Sequence, residues 1–431
     1  MSAIMNLART RLAPALLTLA LTLFAVEARA IDIQQVTSPG GLTAWLVRDS
    51  SVPIISVSYA FKGGTALEPA DKAGVTRLMT GLLDEGAGPY SGAQFHSKLD
   101  DLAVRFSIDA GLDNIAGSLR TLSQHREAAF DLLRLALAEP HFDVDAVERV
   151  RAQMQSIIRD EESDPATIAS RTLTRTIFAG HPYAQPRNGT AQTMAAITTQ
   201  DIRDVYRKLL VRDRLVIAVV GDIDAVELAR LLDRAFGGLP VSNASIDLPP
   251  WPSADTPAPP GRVIVIDRDI PQSVASFAEP GLKRDDPDWF AAFVMNYILG
   301  GGSFSSRLLA EVREKRGLAY SLGTGLSPYR SGGLIYGSVG TANAKVAQSI
   351  ELIRSEWALL AEKGVTEKEL ADAKTYLTGS FPLSLDSTAS VASLLLTMQL
   401  ENLGIDYLSR RDALIRNVTA ADIQRVATRL L

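Results

Sequence analysis

Two segments of this chain recur farther along it at nearly the same spacing, and this repetition limits the possible folds more than any other feature. Ile197-Thr-Thr-Gln-Asp-Ile-Arg-Asp-Val recurs as Val418-Thr-Ala-Ala-Asp-Ile-Gln-Arg-Val, and a Leu-Leu pair follows both copies. Phe142-Asp-Val-Asp-Ala-Val-Glu is likewise similar to Val365-Thr-Glu-Lys-Glu-Leu-Ala. Two matches at nearly one offset indicate a duplicated domain rather than chance.

A proline-rich, polar stretch at residues 247–261 lies between the two copies. This is the composition of an extended linker. The flanking segments, residues 31–246 and 262–431, are each of ordinary single-domain size. The sequence therefore predicts two homologous domains joined by a linker.

Strands and helices are predicted to alternate within each half. Apolar residues alternate with small or polar ones over residues 55–61, as in a half-buried strand, and residues 215–220 form a short apolar run before a helix at 225–236. The second half has predicted strands at 262–266 and 334–339 and a predicted helix at 289–299. This pattern predicts an α+β fold in which each domain is a mostly antiparallel sheet with helices packed on one face.

Residues 1–30 have the composition of an export signal. Arg9 and Arg11 precede an apolar run from Ala15 to Val26, and Ala28-Arg29-Ala30 has the small residues of a cleavage site. The run is too short for an ordinary transmembrane helix, and no later stretch is long and uncharged enough to cross a bilayer. We therefore expect an exported chain, cleaved near Ala30, without a membrane span.

Charge and cysteine content narrow the possible functions. The net charge is −5, and removing the basic signal makes it more negative, which disfavours a nucleic-acid partner. The chain has no Cys, so thiol catalysis and disulfide bonds are excluded. An export signal without Cys favours a compartment such as a bacterial periplasm.

Few residues offer catalytic chemistry. No Gly-x-Ser-x-Gly nucleophile motif occurs. Gly300-Gly301-Gly302-Ser303 follows a predicted helix and no Gly-Lys-Ser/Thr follows it, so we interpret it as a connection between helices rather than a phosphate loop. The four histidines are His96, His125, His141 and His181, and no two of them are spaced for a shared metal site on a helix.

Six segments together resemble the inverzincin zinc peptidases, the group of pitrilysin and the mitochondrial processing peptidases. They occur in that family's order and cover nearly the whole mature chain. The resemblance implies two homologous domains that form one half of a clamshell. The segments are Gly63-Gly64 with Glu68-Pro69, residues 74–86, Phe178-Ala-Gly-His-Pro-Tyr183, Val219-Val-Gly-Asp222, Ile298-Leu-Gly-Gly-Gly-Ser303 and Val312-Arg-Glu-Lys-Arg-Gly-Leu-Ala-Tyr320.

The zinc-binding residues of that family are replaced here. Its His-x-x-Glu-His positions fall on Arg77, Thr80 and Gly81, and its distal glutamate ligand falls near Ile157. Arginine is always cationic, threonine is a poor ligand and glycine has no side chain. The nearby Glu161-Glu162 pair cannot by itself form a catalytic site, which needs about three protein ligands. We expect this chain to bind no catalytic metal.

The second half retains another part of the family's site. In the family, an Arg and a Tyr of the C-terminal domain reach the zinc site, and Arg313 and Tyr320 match them in residue type and spacing. Such donors stabilise the negative charge that develops on a peptide carbonyl oxygen during hydrolysis. Without the resemblance, we would interpret Arg313 as a solvated cation at a helix end and Tyr320 as an amphipathic strand residue.

The resemblance therefore implies a non-zinc-binding subunit of a heterodimeric periplasmic peptidase. A homologous partner would carry His-x-x-Glu-His and zinc, while Arg313 and Tyr320 would contribute to substrate binding and transition-state stabilisation. Gly300, Gly301, Gly302 and Ser303 would line the route of a peptide or unfolded protein. The alternative is an inert scaffold or peptide-binding subunit of the same fold, and a third reading is a homodimeric hydrolase with unrelated chemistry.

Overall fold

The computed structural model describes residues 31–242, 248–249, 261–302 and 305–431. The predicted export signal, most of the predicted linker and Ser303 lie outside the described residues. Gln34–Leu431 form one compact unit. Its first and second halves are described in turn.

The first half contains a six-stranded sheet. Its strands are β1 (Gln34–Thr37), β2 (Thr43–Arg48), β3 (Ile54–Lys62), β6 (Arg105–Ala110), β7 (Asn114–Leu122) and β8 (Leu215–Gly221), and β4 (Gly86–Ala87) and β5 (Tyr90–Ser91) form a separate hairpin. The order in the sheet is β1-β2-β8-β3-β7-β6. Only the pair β2 and β8 is parallel, so the sheet is mostly antiparallel, as predicted.

Eight helices belong to the described part of the first half, and α8 matches the predicted bounds. They are α1 (Val75–Thr80), α2 (Gly92–Asp101), α3 (Arg126–Ala138), α4 (Val144–Ser163), α5 (Pro165–Ile177), α6 (Ala191–Ala196), α7 (Thr199–Leu209) and α8 (Ala225–Phe236). Apolar side chains from the sheet and from most of these helices form one core, which includes Tyr59, Phe61, Phe130 and Phe236.

The second half has a narrower sheet of three antiparallel strands, in the order β10-β11-β9. The strands are β9 (Gln272–Pro280), β10 (Ala319–Tyr329) and β11 (Gly332–Ala342). The helices are α9 (Trp289–Asn296), α10 (Val346–Lys363), α11 (Glu367–Gly379), α12 (Thr388–Leu400), α13 (Tyr407–Arg416) and α14 (Ala420–Leu430), together with π-helical turns at Tyr297–Gly301 and Leu309–Glu314. The predicted α+β fold class is confirmed.

The repeated sequence motif forms the same helix start in both halves. Thr198 accepts a hydrogen bond from the Asp201 N–H at the start of α7, and Thr419 accepts one from the Asp422 N–H at the start of α14. In each case the Asp side chain accepts the N–H of the Thr in return. The repeat is therefore a duplicated capping box, which satisfies N–H groups that have no partner within the helix.

The two halves exchange helices. Helix α12 of the second half packs on β3 and β8 of the first-half sheet, and α5 of the first half packs on β9. Ser56 and Thr388 share a buried hydrogen bond of 2.8 Å, and Gln399 donates to the Ile217 carbonyl at 2.9 Å. Because α12 covers the second face of the sheet, β3 is buried from Ile55 to Phe61. The prediction of a half-buried strand there was wrong for this reason.

The strand predicted at residues 262–266 is absent. These residues have no regular secondary structure, and Val263 and Val265 are 61% and 81% exposed. Their position before β9 corresponds to that of β2 before β3, and β2 is held by β1 and β8 on its two sides. Residues 262–266 have no such neighbours among the described strands, and strand formation depends on pairing.

A segment after α5 joins the halves. Phe178 and Tyr183 stack edge to face and both rings lie against Tyr329 of β10. The Tyr183 hydroxyl donates to Asp113 at 2.6 Å, and the other Asp113 oxygen accepts the Arg330 N–H at 3.0 Å. The Phe178–Tyr183 motif therefore serves to connect the two halves.

No single helix among the described residues is long and apolar enough to cross a membrane. Residues Glu367–Leu385 and Thr388–Leu400 meet that length and composition only as a pair bent by 118°.

Candidate functional site

Helix α1 carries Arg77 and Thr80, two of the positions that the resemblance assigns to the family's zinc motif. It begins after Gly74, whose φ of 94° favours glycine. The Glu68 carboxylate accepts the N–H groups of Gly74 and Thr76 at 2.8 and 2.6 Å and so caps the helix. Burial raises the pKa of Glu68 to about 7, although these hydrogen bonds favour the ionised form and oppose the shift. The helix is thus anchored by a buried acid.

Arg77 is held in a polar cluster. Its Nε donates to Asn188 Oδ1 at 3.0 Å, and its Nη1 is paired with Asp109 on the edge strand β6. Arg187 also lies near Asp109, with 3.7 Å between nitrogen and oxygen, and donates to the Ala110 carbonyl at 2.9 Å. The guanidinium at the first zinc-ligand position is therefore committed to neighbours in the first half.

Glu161 extends the same cluster. Its Oε1 accepts a hydrogen bond from Asn188 Nδ2 at 2.7 Å, and its other oxygen is paired with Arg171 of α5. Ile157, one turn earlier on α4, instead packs against the apolar core. The Glu161 carboxylate therefore reaches Arg77 only through Asn188, and it is paired with Arg171.

The remaining positions of the motif also carry no ligand. Thr80 is 2% exposed, and its hydroxyl donates back to the Arg77 carbonyl at 3.0 Å. Gly81 follows the helix with no side chain, and a Cβ there would lie 3.2 Å from Val150 Cγ1. Space for a ligand side chain at this point is limited by the packing of α4 against α1.

These residues do not fit a zinc ion. A metal at this position would meet the cationic Arg77 guanidinium. In the contacts described above, α4 contributes one carboxylate to the cluster, that of Glu161. Throughout the described ranges no three His, Asp or Glu side chains are grouped so that they could hold a metal ion. A catalytic zinc needs about three protein ligands and an open position.

The predicted glycine route lies in a π-helical turn. Gly300 and Gly301 end the turn Tyr297–Gly301, which continues α9, and the turn packs against β10. A Cβ on Gly300 would lie 2.5 Å from Thr324 Oγ1, so only glycine permits this approach. Ser303 lies outside the described residues.

Two buried oxygens border the same turn. Asn296 Oδ1 and Thr324 Oγ1 have no hydrogen-bond partner within the part of the chain that the structure describes. Buried polar atoms in proteins are nearly always paired, so each such atom requires an explanation. This turn therefore combines close backbone packing with unused hydrogen-bonding capacity.

Arg313 and Tyr320 lie on the surface of the second half. Arg313 is exposed in the π-helical turn Leu309–Glu314. Tyr320 is 78% exposed near the start of β10, where the pairing register with β11 shifts. The residues of the Arg77 cluster all belong to the first half. None of the contacts described for that cluster involves Arg313 or Tyr320.

Sequence reasoning missed most of the Arg77 cluster. Asp109, Arg171, Arg187 and Asn188 carry no motif, and the hydrogen-bonded partners of Arg77 lie 32 and 111 residues away in the sequence. Arg77 is the one charged residue of α1. A cation on a mostly buried helix was the available sign that an acidic partner would be needed. Their identity required the fold.

Comparison with known proteins identifies the family to which this chain is similar. Residues 44–191 match the sequence profile described as Insulinase (Peptidase family M16), and residues 196–377 match that of the Peptidase M16 inactive domain. A non-peptidase homolog, YmxG, of Helicobacter pylori is 28% identical over 340 residues, covering 79% of this chain and 77% of that protein. A protein of Streptomyces coelicolor described as an uncharacterized zinc protease is 29% identical over 406 residues, covering 93% and 87%.

Solved structures agree with this assignment. The crystal structure of a peptidase M16 inactive domain from Pseudomonas fluorescens has a TM-score of 0.85 and 28% identity, and the match covers 93% of this chain and 95% of that one. The periplasmic protease PqqL of Escherichia coli has a TM-score of 0.77 over 94% of this chain and 44% of its own, with 16% identity, and thus shows the fold alone. The predicted resemblance is confirmed: this chain belongs to peptidase family M16, as a member without that family's zinc-binding residues.

Proposed function

We propose that this chain is the non-zinc-binding subunit of a heterodimeric zinc metallopeptidase of the periplasm. A homologous partner with an intact His-x-x-Glu-His helix would bind the zinc, and this chain would supply Arg313 and Tyr320 to the bound peptide. Substrates would be peptides or unfolded proteins. Residues 1–30 would act as the export signal and would be removed near Ala30.

The contrast between the two halves carries this proposal. The position of the first zinc ligand is filled by Arg77, which is paired with Asp109 and Asn188. Arg313 and Tyr320 lie on the surface of the second half, and Tyr320 is 78% accessible. A permanent cation and a phenol O–H on an accessible surface can interact with the oxygen of a substrate carbonyl.

The π-helical turns support the same location. Such turns make up well under 1% of residues in globular proteins and are frequent at functional sites. One of them carries Arg313 and the other carries Gly300 and Gly301.

The test uses the chain together with its zinc-binding partner. We expect Arg313→Ala or Tyr320→Phe to lower the hydrolysis rate of an unfolded polypeptide by about 10²-fold, as when other oxyanion donors are removed. Arg316→Ala and Tyr376→Phe are matched controls, because these exposed residues lie outside the proposed pair. Size-exclusion chromatography should show unchanged assembly, and zinc should be found with the partner.

A catalytically inert scaffold or peptide-binding subunit is the second candidate, favoured by the non-peptidase description of the Helicobacter pylori relative. Hydrolysis that is unchanged in Arg313→Ala and Tyr320→Phe would support this candidate against the first. Hydrolysis by the purified chain alone in the presence of a chelator would contradict both and favour a hydrolase of unrelated chemistry.

A further inference from the structure

One face of strands β6 and β7 is polar and uncovered. The register places Arg120 of β7 between Ser56 of β3 and Arg105 of β6. Ser56 is hydrogen-bonded to Thr388 of α12, and α12 packs on β3 and β8. On the same sheet face, beside the area that α12 covers, five side chains of β6 and β7 are exposed. We call them the β6–β7 face: Arg105, Ser107, Asp109, Ser118 and Arg120.

Two arginines lie directly opposite each other at one end of this face. Arg105 and Arg120 are cross-strand partners, so their side chains leave the sheet side by side. Both are exposed, and among the residues that the structure describes neither side chain has a salt bridge or a hydrogen bond. Like charges at directly opposed positions destabilise a sheet. An anion bound between the two guanidinium groups would remove this repulsion.

The other end of the face is also cationic. Asp109 is paired with Arg77, and Arg187 lies 3.7 Å from the second Asp109 oxygen. Two guanidinium groups thus share one carboxylate, whose side chain is 61% exposed. Glu161 does not balance the excess, because it is paired with Arg171. The face and its border therefore bring together four arginines and one aspartate, in a chain whose net charge is −5.

The spacing of the two cationic ends suits an extended peptide. Asp109 follows Arg105 by four residues on the same side of β6, which is about 13 Å along a strand. Ser107 lies midway between them and shares a hydrogen bond of 2.8 Å with Ser118. An extended peptide presents alternate side chains to one side at intervals of about 7 Å, so acidic residues four positions apart would reach both ends.

We propose that the β6–β7 face binds an acidic segment of another polypeptide in extended form. One carboxylate of the segment would lie between Arg105 and Arg120, and a second would interact with the two arginines that border Asp109. Arginine suits this role, because its planar guanidinium binds a carboxylate through two parallel hydrogen bonds. The inference goes beyond the proposed function, since it involves neither of the proposed substrate donors and needs no zinc-binding partner.

A nucleic acid is the less suitable ligand. The negative net charge of the chain repels a long polyanion, whereas a short acidic segment is attracted by the local cations. The uncharged hydroxyls of Ser107 and Ser118 also interrupt the positive charge along the face. We therefore assign the face to a carboxylate ligand.

The test measures binding of a fluorescent peptide of five Glu-Ser repeats to the full chain by fluorescence anisotropy. We expect saturable one-to-one binding that weakens by about tenfold or more when NaCl is raised from about 0.05 M to about 0.5 M, because salt screens exposed charges. The same peptide with Gln in place of each Glu should bind about tenfold or more weakly. Single-stranded DNA of the same length tests for a nucleic-acid ligand and should bind more weakly than the Glu peptide.

Paired substitutions localise the site. Arg105→Gln with Arg120→Gln should weaken binding of the Glu peptide by about tenfold or more. Arg207→Gln with Arg354→Gln removes the same charge from exposed helix positions and should change binding by less than about twofold. Urea denaturation should show the Arg105 and Arg120 variant to be at least as stable as the wild type, because the substitutions remove a like-charge pair. A merely structural role of the two arginines would lower its stability instead.

Asp109→Asn should have the opposite effect on binding. It removes the carboxylate that competes for Arg77 and Arg187, so the Glu peptide should bind about threefold or more tightly, which a folding defect cannot produce. Five results would each overturn the proposal: no saturable binding, equal binding of the Gln peptide, DNA binding as tight as that of the Glu peptide, unchanged binding in the Arg105 and Arg120 variant, or weaker binding in Asp109→Asn.

Discussion

The two sheets of this protein differ although the two halves follow one plan. Among the described residues, the first-half sheet has six strands and is covered on both faces, whereas the second-half sheet has three strands and a half-buried β9. Helix α7 of the first half and helix α14 of the second half begin with the same Thr-Asp capping box. A repeated sequence thus reproduces local structure, while the width and burial of a sheet depend on strands that arrive from elsewhere in the chain.

One pair of positions allows a direct comparison. Tyr59 of β3 lies opposite Gly117, and Phe277 of β9 lies opposite Gly337. In both cases the aromatic ring fills the space over the glycine, so that a Cβ would come within 2.3 Å of the Tyr59 ring or 2.5 Å of the Phe277 ring. The two rings therefore have the same packing role in sheets of different burial.

Truncation of these rings should give the largest effect. We expect Tyr59→Ala to lower the free energy of unfolding by about 4 kcal/mol, because the ring is fully buried. Phe277→Ala should cost about 2 kcal/mol, since a half-buried ring loses less burial and its cavity is open to water. Urea denaturation of both variants measures the difference.

A second substitution separates the ring from its hydroxyl. Tyr59 Oη is buried without a hydrogen-bond partner among the described residues. Tyr59→Phe should therefore leave stability unchanged or raise it by up to about 1 kcal/mol. Equal losses in the two alanine variants would contradict the claimed difference between the sheets.

The exchanged helices should show the same contrast, with a smaller loss of unfolding free energy for each substitution. Leu395 on α12 is fully buried, and Leu395→Ala should lower the free energy of unfolding by about 3 kcal/mol. Leu173 on α5 is half-buried, and Leu173→Ala should cost about 1 kcal/mol. Thermal or urea unfolding checks both values. A Leu173→Ala loss as large as that of Leu395→Ala would show that α5 is covered more fully than the contacts indicate.

Each half has an acid near a helix start, and the pKa shifts of these two acids have opposite signs. Burial raises the pKa of Glu68 to about 7, whereas hydrogen bonds from Arg425 hold the pKa of Asp288, beside α9, below its usual value. Asp288 accepts from Arg425 at 2.5 Å and from Arg429 at 3.0 Å. A buried acid with a raised pKa binds more protons in the folded state, and an ion-paired acid binds fewer.

A pH dependence of the unfolding free energy follows from these acids. The stability contributed by protonated Glu68 is fully present below its unfolded pKa of 4.5 and is lost as pH rises through about 7. Relative to Glu68→Gln, the wild type should therefore lose about 2 kcal/mol of unfolding free energy between pH 5 and pH 8. Urea denaturation at a series of pH values measures this loss.

Asp288→Asn provides the control of opposite sign. The stability contributed by ionised Asp288 is present above its unfolded pKa and is lost as pH falls, so the wild-type advantage over Asp288→Asn should shrink on acidification. A wild-type advantage over Glu68→Gln that shrinks on acidification instead would show that the Glu68 cap is ionised at neutral pH.

Much of the architecture could be read from local patterns. The helix at residues 225–236 and the strand within residues 215–221 follow from periodicity and turn residues, and the structure confirms them. The strand at 262–266 was wrong because its apolar residues need neighbours to form a strand. Asp109 and Asn188 could not be predicted as partners of Arg77, because only the fold brings β6 and the loop after Tyr183 next to α1.

The sequence by itself determined the duplication, the family and the loss of the zinc ligands, because these depend on residue types at fixed spacings along the chain. Only the tertiary structure decided that Arg77 is neutralised by Asp109, that α5 and α12 are exchanged between halves, and that Tyr183 and Arg330 meet at Asp113. These features arise from contacts between residues far apart in the chain, which are set by the packing of whole elements and not by local preference.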